Sequence, residues 1–175
     1  MPATLRSDQE VASPIRCILS DVDGVLTDGR IIYDSEGAES KAFHVRDGLA
    51  IKHWGNAGFT FGIITARRSN VVRRRAEELS VTHLHQGVKN KLECVQSVAK
   101  TIGCELTEIC YIGDDLPDLN PMRSVGLAVA PADAARDVRD AAHWIMGTKG
   151  GEGAVRELVE RLLRTKGLWD CGVPQ

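Results

Sequence analysis

The sequence predicts an α/β fold, a mostly parallel sheet covered by helices on both faces. Three observations predict it. Short apolar runs alternate with segments whose apolar residues recur at helical spacing, from residue 15 to residue 166. Several runs are apolar throughout rather than at every second residue, the pattern of strands buried on both faces. Acidic or polar turns follow three of the runs, and in open α/β sheets ligands bind beyond the carboxyl ends of the strands. At 175 residues the chain suits one domain with a real core.

Residues 1–14 are polar and irregular and are expected to form a flexible tail, with a single domain over 15–170 and a short tail over 171–175. Residues 15–19 form the first strand, ended by the turn Asp21-Val22-Asp23-Gly24. Ile31-Ile32-Tyr33, the turn Asp34-Ser35-Glu36-Gly37 and the mixed stretch to Phe43 read as a β-hairpin. Leu49, Ala50, Trp54 and Ala57 have helical spacing, and Gly58 suits the helix stop. Residues 59–64 are a buried strand ending at Thr65.

Ser69 caps a helix with Val71, Val72, Ala76 and Leu79 on one side. Residues 81–84 form a short strand. Asn90 with Glu93 makes a capping box ahead of Leu92, Val95, Val98, Ala99 and Ile102, and Gly103 ends that helix. Strands follow at 109–112, before Gly113-Asp114-Asp115, and at 126–130. A last helix covers 154–166, with Val155, Leu158, Val159, Leu162 and Leu163 on one side. The whole is a three-layer, Rossmann-like arrangement with a protruding hairpin and no large cap domain.

Composition narrows the function. Net charge of -2 gives no reason to expect nucleic acid or an acidic membrane as partner. The apolar runs are far too short to span a bilayer, and no basic segment followed by an apolar one opens the chain, so a cytoplasmic protein is expected. The five cysteines are scattered, with no C-x-x-C pair, which argues for reduced thiols rather than disulfides or zinc. Arg73-Arg74-Arg75 spreads round a helix and reads as a solvated face. His83 and His85 share a strand face without a third ligand, and the glycines of 147–153 lack a Walker pattern.

The chemistry gathers at the strand ends. Asp21 and Asp23 follow the first strand, Thr65 ends the 59–64 strand, and Asp114 and Asp115 follow the 109–112 strand, with Asp118 nearby. So many carboxylates in one crevice repel unless a cation sits among them. An all-oxygen donor set favours a hard ion, and Mg²⁺ suits a site that also takes phosphate. Asp115 and Asp118 also read as the start of a helix with Pro117 in its first turn.

Four motifs stand in order: Asp21-Val22-Asp23-Gly24 after a strand, Thr65 ending Ile63-Ile64-Thr65, Lys91 ahead of a helix, and Gly113-Asp114-Asp115 after a strand. Together they resemble the haloacid dehalogenase-like phosphatase superfamily over nearly all of residues 15–166. The resemblance implies a Mg²⁺-dependent phosphomonoester hydrolase acting through a phospho-aspartate. Asp21 would be the nucleophile and Asp23 the general acid and base. The Asp23 carbonyl, Asp21 and Asp114 would hold Mg²⁺, with Asp115 and Asp118 beside it. Thr65 would bind a phosphoryl oxygen. Lys91 would neutralise charge; it fits Gln86-Gly87-Val88-Lys89-Asn90-Lys91 better than Lys89 does.

The lack of a cap insert, together with Phe43-His44-Val45-Arg46-Asp47-Gly48 and Gly150-Gly151-Glu152-Gly153, is similar to the capless branch of 3-deoxy-D-manno-octulosonate 8-phosphate phosphatases. That branch implies a sugar acid phosphate substrate, a role in lipopolysaccharide precursor synthesis, and a homotetramer built through the hairpins. Arg67 suits a sugar carboxylate, and Arg46 beside the hairpin is a second substrate candidate. Glu152 stands where the octulosonate enzymes commonly have Arg, as in some relatives acting on nine-carbon sialic-type sugar acid 9-phosphates, so these remain the alternative substrate. Two other classes share features, a phospho-accepting receiver domain and a non-catalytic assembly domain. The early Asp-x-Asp argues against the first, and intact Asp21 and Asp23 against the second.

Overall fold

The structure, a computed structural model, describes residues 7–169. The strands are β1 (Cys17–Ser20), β2 (Ile32–Tyr33), β3 (Glu39–Ser40), β4 (Thr60–Thr65), β5 (His83–Gln86), β6 (Ile109–Ile112), β7 (Leu127–Ala130) and β8 (Trp144–Ile145). Six of them form one sheet in the order β5-β4-β1-β6-β7-β8, and all neighbours in it are parallel. β2 and β3 pair antiparallel as the expected hairpin.

The helices are α1 (Asp8–Ala12), α2 (Val45–Asn56), α3 (Asn70–Glu78), α4 (Lys91–Ile102), α5 (Leu119–Met122), α6 (Arg136–Ala141) and α7 (Ala154–Thr165). Alternate strand residues feed two cores. Ile18, Ile63, Cys110, Ile112, Leu127 and Val129 face α1, α2, α3 and α7. Cys17, Leu19, Ile64, Ile109, Tyr111 and Ala128 face α4, α5 and α6. The three-layer α/β architecture is therefore the one the continuous apolar runs called for.

The helix ends follow the expected chemistry. The Ser69 hydroxyl accepts from the Val72 amide and the Asn90 side chain from the Glu93 amide. Gly103 closes α4 in the left-handed region at φ 66. Trp54 stacks on Phe59 with ring centroids 4.4 Å apart. It donates its indole N–H to the Thr60 carbonyl, so it serves as a packing group.

Three features differ from expectation. Residues 7–14 of the expected tail are structured: Ser7 and Glu10 form a capping box, Ala12 is fully buried, and Asp8 takes a two-pronged hydrogen bond from Arg161 of α7. The apolar anchor of this short helix is only Val11 and Ala12, too little to show as periodicity. Residues 1–6 and 170–175 lie outside the described residues. β5 starts two residues later than expected, because Ser80 takes a positive φ of 58 and the Val81 amide returns to the Ala76 carbonyl to finish α3. α6 and β8 are too short to announce themselves.

α7 is the largest apolar contributor to its face, with Leu158 fully buried among α2 and the sheet. Leu158→Ala is expected to cost about 2–5 kcal/mol of stability, as buried leucines do when a cavity is left. Urea unfolding followed by circular dichroism measures it, and a change below about 1 kcal/mol would contradict this packing.

Candidate active site

The strand register sets the site. Ser20 lies level with Ile63 and Ile112, so β1, β4 and β6 end at one edge. The Asp21 amide extends the ladder to the Ile112 carbonyl at 3.0 Å. Val22 is fully buried, which turns the side chains on either side of it outward. Gly24 has φ +86, and a Cβ there would lie 2.0 Å from Asp114 Oδ2, so the two acidic turns meet only because this residue is glycine.

Asp21, Asp23, Thr65, Arg67, Lys91, Asp114 and Asp115 line one cavity of about 320 Å³, with Gly29, Ala66 and Pro117. Sequence reasoning singled out all seven. Thr65 is 2% exposed, and its hydroxyl accepts from the Arg67 amide at 3.3 Å. Lys89, the rival of Lys91, is exposed and lies outside this cavity.

Lys91 sits between two carboxylates, 2.8 Å from Asp21 Oδ2 and 2.7 Å from Asp118 Oδ1. Burial works to lower its pKa, but Asp21 and Asp118 outweigh it and hold the ammonium above its ordinary value. Asp118 is fully buried and its oxygens are already engaged. Oδ1 also accepts from the Tyr111 hydroxyl at 2.8 Å, and Oδ2 accepts from the Asp114 and Asp115 amides at 3.0 and 3.3 Å. Asp118 anchors the turn after β6; it also begins a helix, as the alternative reading had it. Asp115 is exposed and caps the Leu116 amide at 2.8 Å.

One lysine does not balance the acids. Burial, then the Asp118 carboxylate, pushes Asp21 up to about 6, while Lys91 pulls it back. Burial, then Asp21, Asp118 and Asp115, pushes Asp114 up to about 8. Oxygen atoms of Asp21, Asp114 and Asp118 lie within 4.8 Å of one another. An oxygen-only cluster with surplus negative charge fits a hard divalent cation such as Mg²⁺. With Asp118 saturated, Asp21 and Asp114 are the side chains left to hold it.

Two contributors were missed. Glu39 of β3 accepts from Arg67 Nη2 at 2.8 Å and from the Ser69 hydroxyl. Lys41, two residues on, bonds Asp23. Their spacing places both on one face of the hairpin, the signal that could have found them. Burial raises the Glu39 pKa, but Ser69, Lys41 and Arg67 outweigh that and leave it lowered. Arg46 and Glu152 are not brought to this cavity. They line a separate depression of about 480 Å³ beside Arg156 and Arg161 of α7, because Arg46 stands in the first turn of α2 and Glu152 just before α7, two helices that pack on each other.

Comparison with known proteins gives the family. A family model for haloacid dehalogenase-like hydrolases matches residues 84–158. A 3-deoxy-D-manno-octulosonate 8-phosphate phosphatase of Yersinia pestis is 43% identical over 152 residues, 87% of this chain and 81% of the relative. The chain belongs to the haloacid dehalogenase-like hydrolases. A solved structure of the Y. pestis phosphatase superposes on this hydrolase with TM-score 0.91 at 40% identity, covering 93% of this chain and 88% of the other. A Moraxella catarrhalis 3-deoxy-D-manno-octulosonate 8-phosphate phosphatase, solved with magnesium ion, phosphate ion and KDO, gives 0.89 at 41% identity, covering 92% and 93%. The expected family, capless and of the phosphatase type, is met.

The raised carboxylates carry a stability signature. A carboxyl whose folded pKa lies above its unfolded one binds more protons in the folded state between the two values, so stability falls as pH rises through that window. For Asp21 and Asp114 the window opens near the ordinary 3.8 and closes near 6 and 8. Metal-free protein is therefore expected to lose stability as pH rises from about 4 to 8, and Mg²⁺ to raise Tm more at pH 8 than at pH 5. Thermal melts with and without chelator check this; an equal Mg²⁺ effect at both pH values would contradict it.

Proposed function

We propose that this hydrolase converts 3-deoxy-D-manno-octulosonate 8-phosphate to 3-deoxy-D-manno-octulosonate and phosphate, in lipopolysaccharide precursor synthesis. The observation that carries the reading is the single cavity holding Asp21, Asp23, Thr65, Arg67, Lys91 and Asp114, in a chain 43% identical to an octulosonate 8-phosphate phosphatase.

An Asp21 oxygen attacks phosphorus and the phosphorus–ester oxygen bond breaks. Asp23 gives its proton to the departing sugar oxygen. Water then attacks the phospho-aspartate, Asp23 takes back a proton, and phosphate leaves with Asp21 restored. Lys91 offsets the charge of the Asp21 carboxylate as it meets an anionic substrate. Thr65 donates its hydroxyl to a phosphoryl oxygen. Asp21, Asp114 and the Asp23 carbonyl would hold Mg²⁺, which would neutralise charge building on the phosphoryl oxygens. Asp118 and Asp115 shape the turn that presents Asp114.

Arg67 supplies the guanidinium for the sugar carboxylate. The runner-up is a nine-carbon sialic-type sugar acid 9-phosphate, which rests on glutamate standing at position 152 in the sequence, although Glu152 lies outside the cavity of the single chain. A homotetramer is supported by exposed apolar residues on the hairpin and α2, namely Ile31, Ile32, Tyr33, Val45 and Leu49. Among the described residues no helix is long and apolar enough to cross a membrane.

Phosphate release from a panel of sugar acid phosphates, with Mg²⁺ and with chelator, tests the proposal. The eight-carbon substrate is expected to give the highest kcat/KM, and equal rates on nine-carbon substrates would overturn the assignment to Arg67. Asp21→Ala is expected to abolish turnover while the protein stays folded, and Asp23→Asn to slow it by about 10²–10⁴-fold, the usual contribution of general acid–base catalysis. Full activity in either variant would defeat the phospho-aspartate route.

A further inference from the structure

The hairpin brings a buried lysine to the edge of the site. The Lys41 side chain is 1% exposed. Its ammonium bonds Asp23 Oδ1 and lies 3.4 Å from Glu39 Oε1. Glu39 also holds Arg67 Nη2, which donates as well to the Tyr33 hydroxyl at 3.1 Å. The result is a row of alternating charge, Asp23–Lys41–Glu39–Arg67. It starts at the residue read as acid and base and ends at the one read as carboxylate-binding.

Packing does not account for a lysine here. Lysine is among the residues least often buried, and an ammonium taken out of water costs several kcal/mol unless well paired. A solvated position on the same short hairpin would avoid that cost. Asp23, by contrast, stands on a tight turn with its side chain 22% exposed. Among the described residues its carboxylate has no hydrogen bond or ion pair other than that with Lys41. Free of Lys41 it would sample several rotamers, only some of which face a leaving oxygen.

We propose that Lys41 is a positioning residue. It holds the Asp23 carboxyl group toward the leaving oxygen, and Glu39 fixes Lys41 against Arg67, so the hairpin sets the spacing between the two ends of the substrate. This rests on the acid–base reading of Asp23 given above. Lys41 itself exchanges no proton with substrate; it acts through Asp23.

The test is a double-mutant cycle on the full chain with Mg²⁺ and the octulosonate phosphate, run with enough enzyme to follow single turnovers. Lys41→Met is expected to lower the rate about 10–100-fold, the scale of a misplaced reacting group, with KM little changed. Lys41→Arg should recover part of the loss. In an Asp23→Asn background the same Lys41→Met change should cost less than about twofold, because a residue acting through Asp23 has nothing left to position. An equal loss in both backgrounds, an unchanged rate, or a rise in KM alone would overturn the assignment. If Lys41→Met does not fold, Glu39→Gln replaces it in the cycle, with a smaller loss and the same dependence on Asp23. Full activity of Asp23→Asn would sink the reading of Asp23 and this inference with it. A slow Asp23→Asn with additive losses would sink the role of Lys41 alone.

Discussion

The site depends on one buried cation set between two carboxylates. Lys91 opens α4, Asp21 follows β1, and Asp118 closes the turn after β6. Three segments distant in sequence are therefore tied at a single ammonium. Deleting a partner from such a buried group leaves charge uncompensated, typically at a cost of about 3–5 kcal/mol. The remaining acceptors of Asp118 draw in the Tyr111 hydroxyl and two amides, so the β6 turn is shaped by Asp118 rather than by solvent. The arrangement still leaves too much negative charge. Asp114, further from Lys91's direct reach than Asp21, is pushed higher, and this surplus of negative charge suits a hard divalent cation.

Close backbone approach is the second constraint. A Cβ on Gly150 would lie 1.9 Å from the Gly24 carbonyl oxygen, and one on Gly151 2.5 Å from the Asp28 amide. The glycine-rich loop is thus a buttress behind the first acidic turn, not a phosphate cradle. Its own amides are held from the other side: Asp133 accepts from Gly150, and Glu157 accepts from Gly147 and Thr148. Side-chain carboxylates take the place of regular secondary structure in satisfying this backbone.

What the sequence revealed follows from strand physics. Asp21, Asp23, Thr65 and Asp114 were legible because parallel strands deliver their carboxyl ends to one edge, whatever lies between them. Lys91 needed a pattern rather than a periodicity, since Lys89 has the same chemistry two residues away. Asp118 was readable as a helix start, but its bonds to Lys91 and Tyr111 depend on tertiary placement. Arg46, in the first turn of α2, and Glu152, just before α7, lie outside that cavity in the single chain, a placement set by how the two helices pack and carried by no local signal. α1 was hidden because its partner, α7, lies at the far end of the chain.

The hairpin shows how stability and chemistry become one problem in a capless enzyme. A two-stranded ribbon is marginal in water by itself, and β2 and β3 are only two residues each. The apolar side chains Ile31, Ile32 and Tyr33 are about half exposed in the single chain, so they add little internal core. What remains to hold the ribbon against the domain is polar: Glu39 to Arg67 and Ser69, Tyr33 to Arg67, and Lys41 to Asp23. Ser69 is also the N-cap of α3, which links the ribbon to a rigid element. The contacts that dock the hairpin therefore use Asp23 and Arg67, two of the side chains that line the candidate cavity. Any change that frees one of them alters both the order of the ribbon and the geometry of the site.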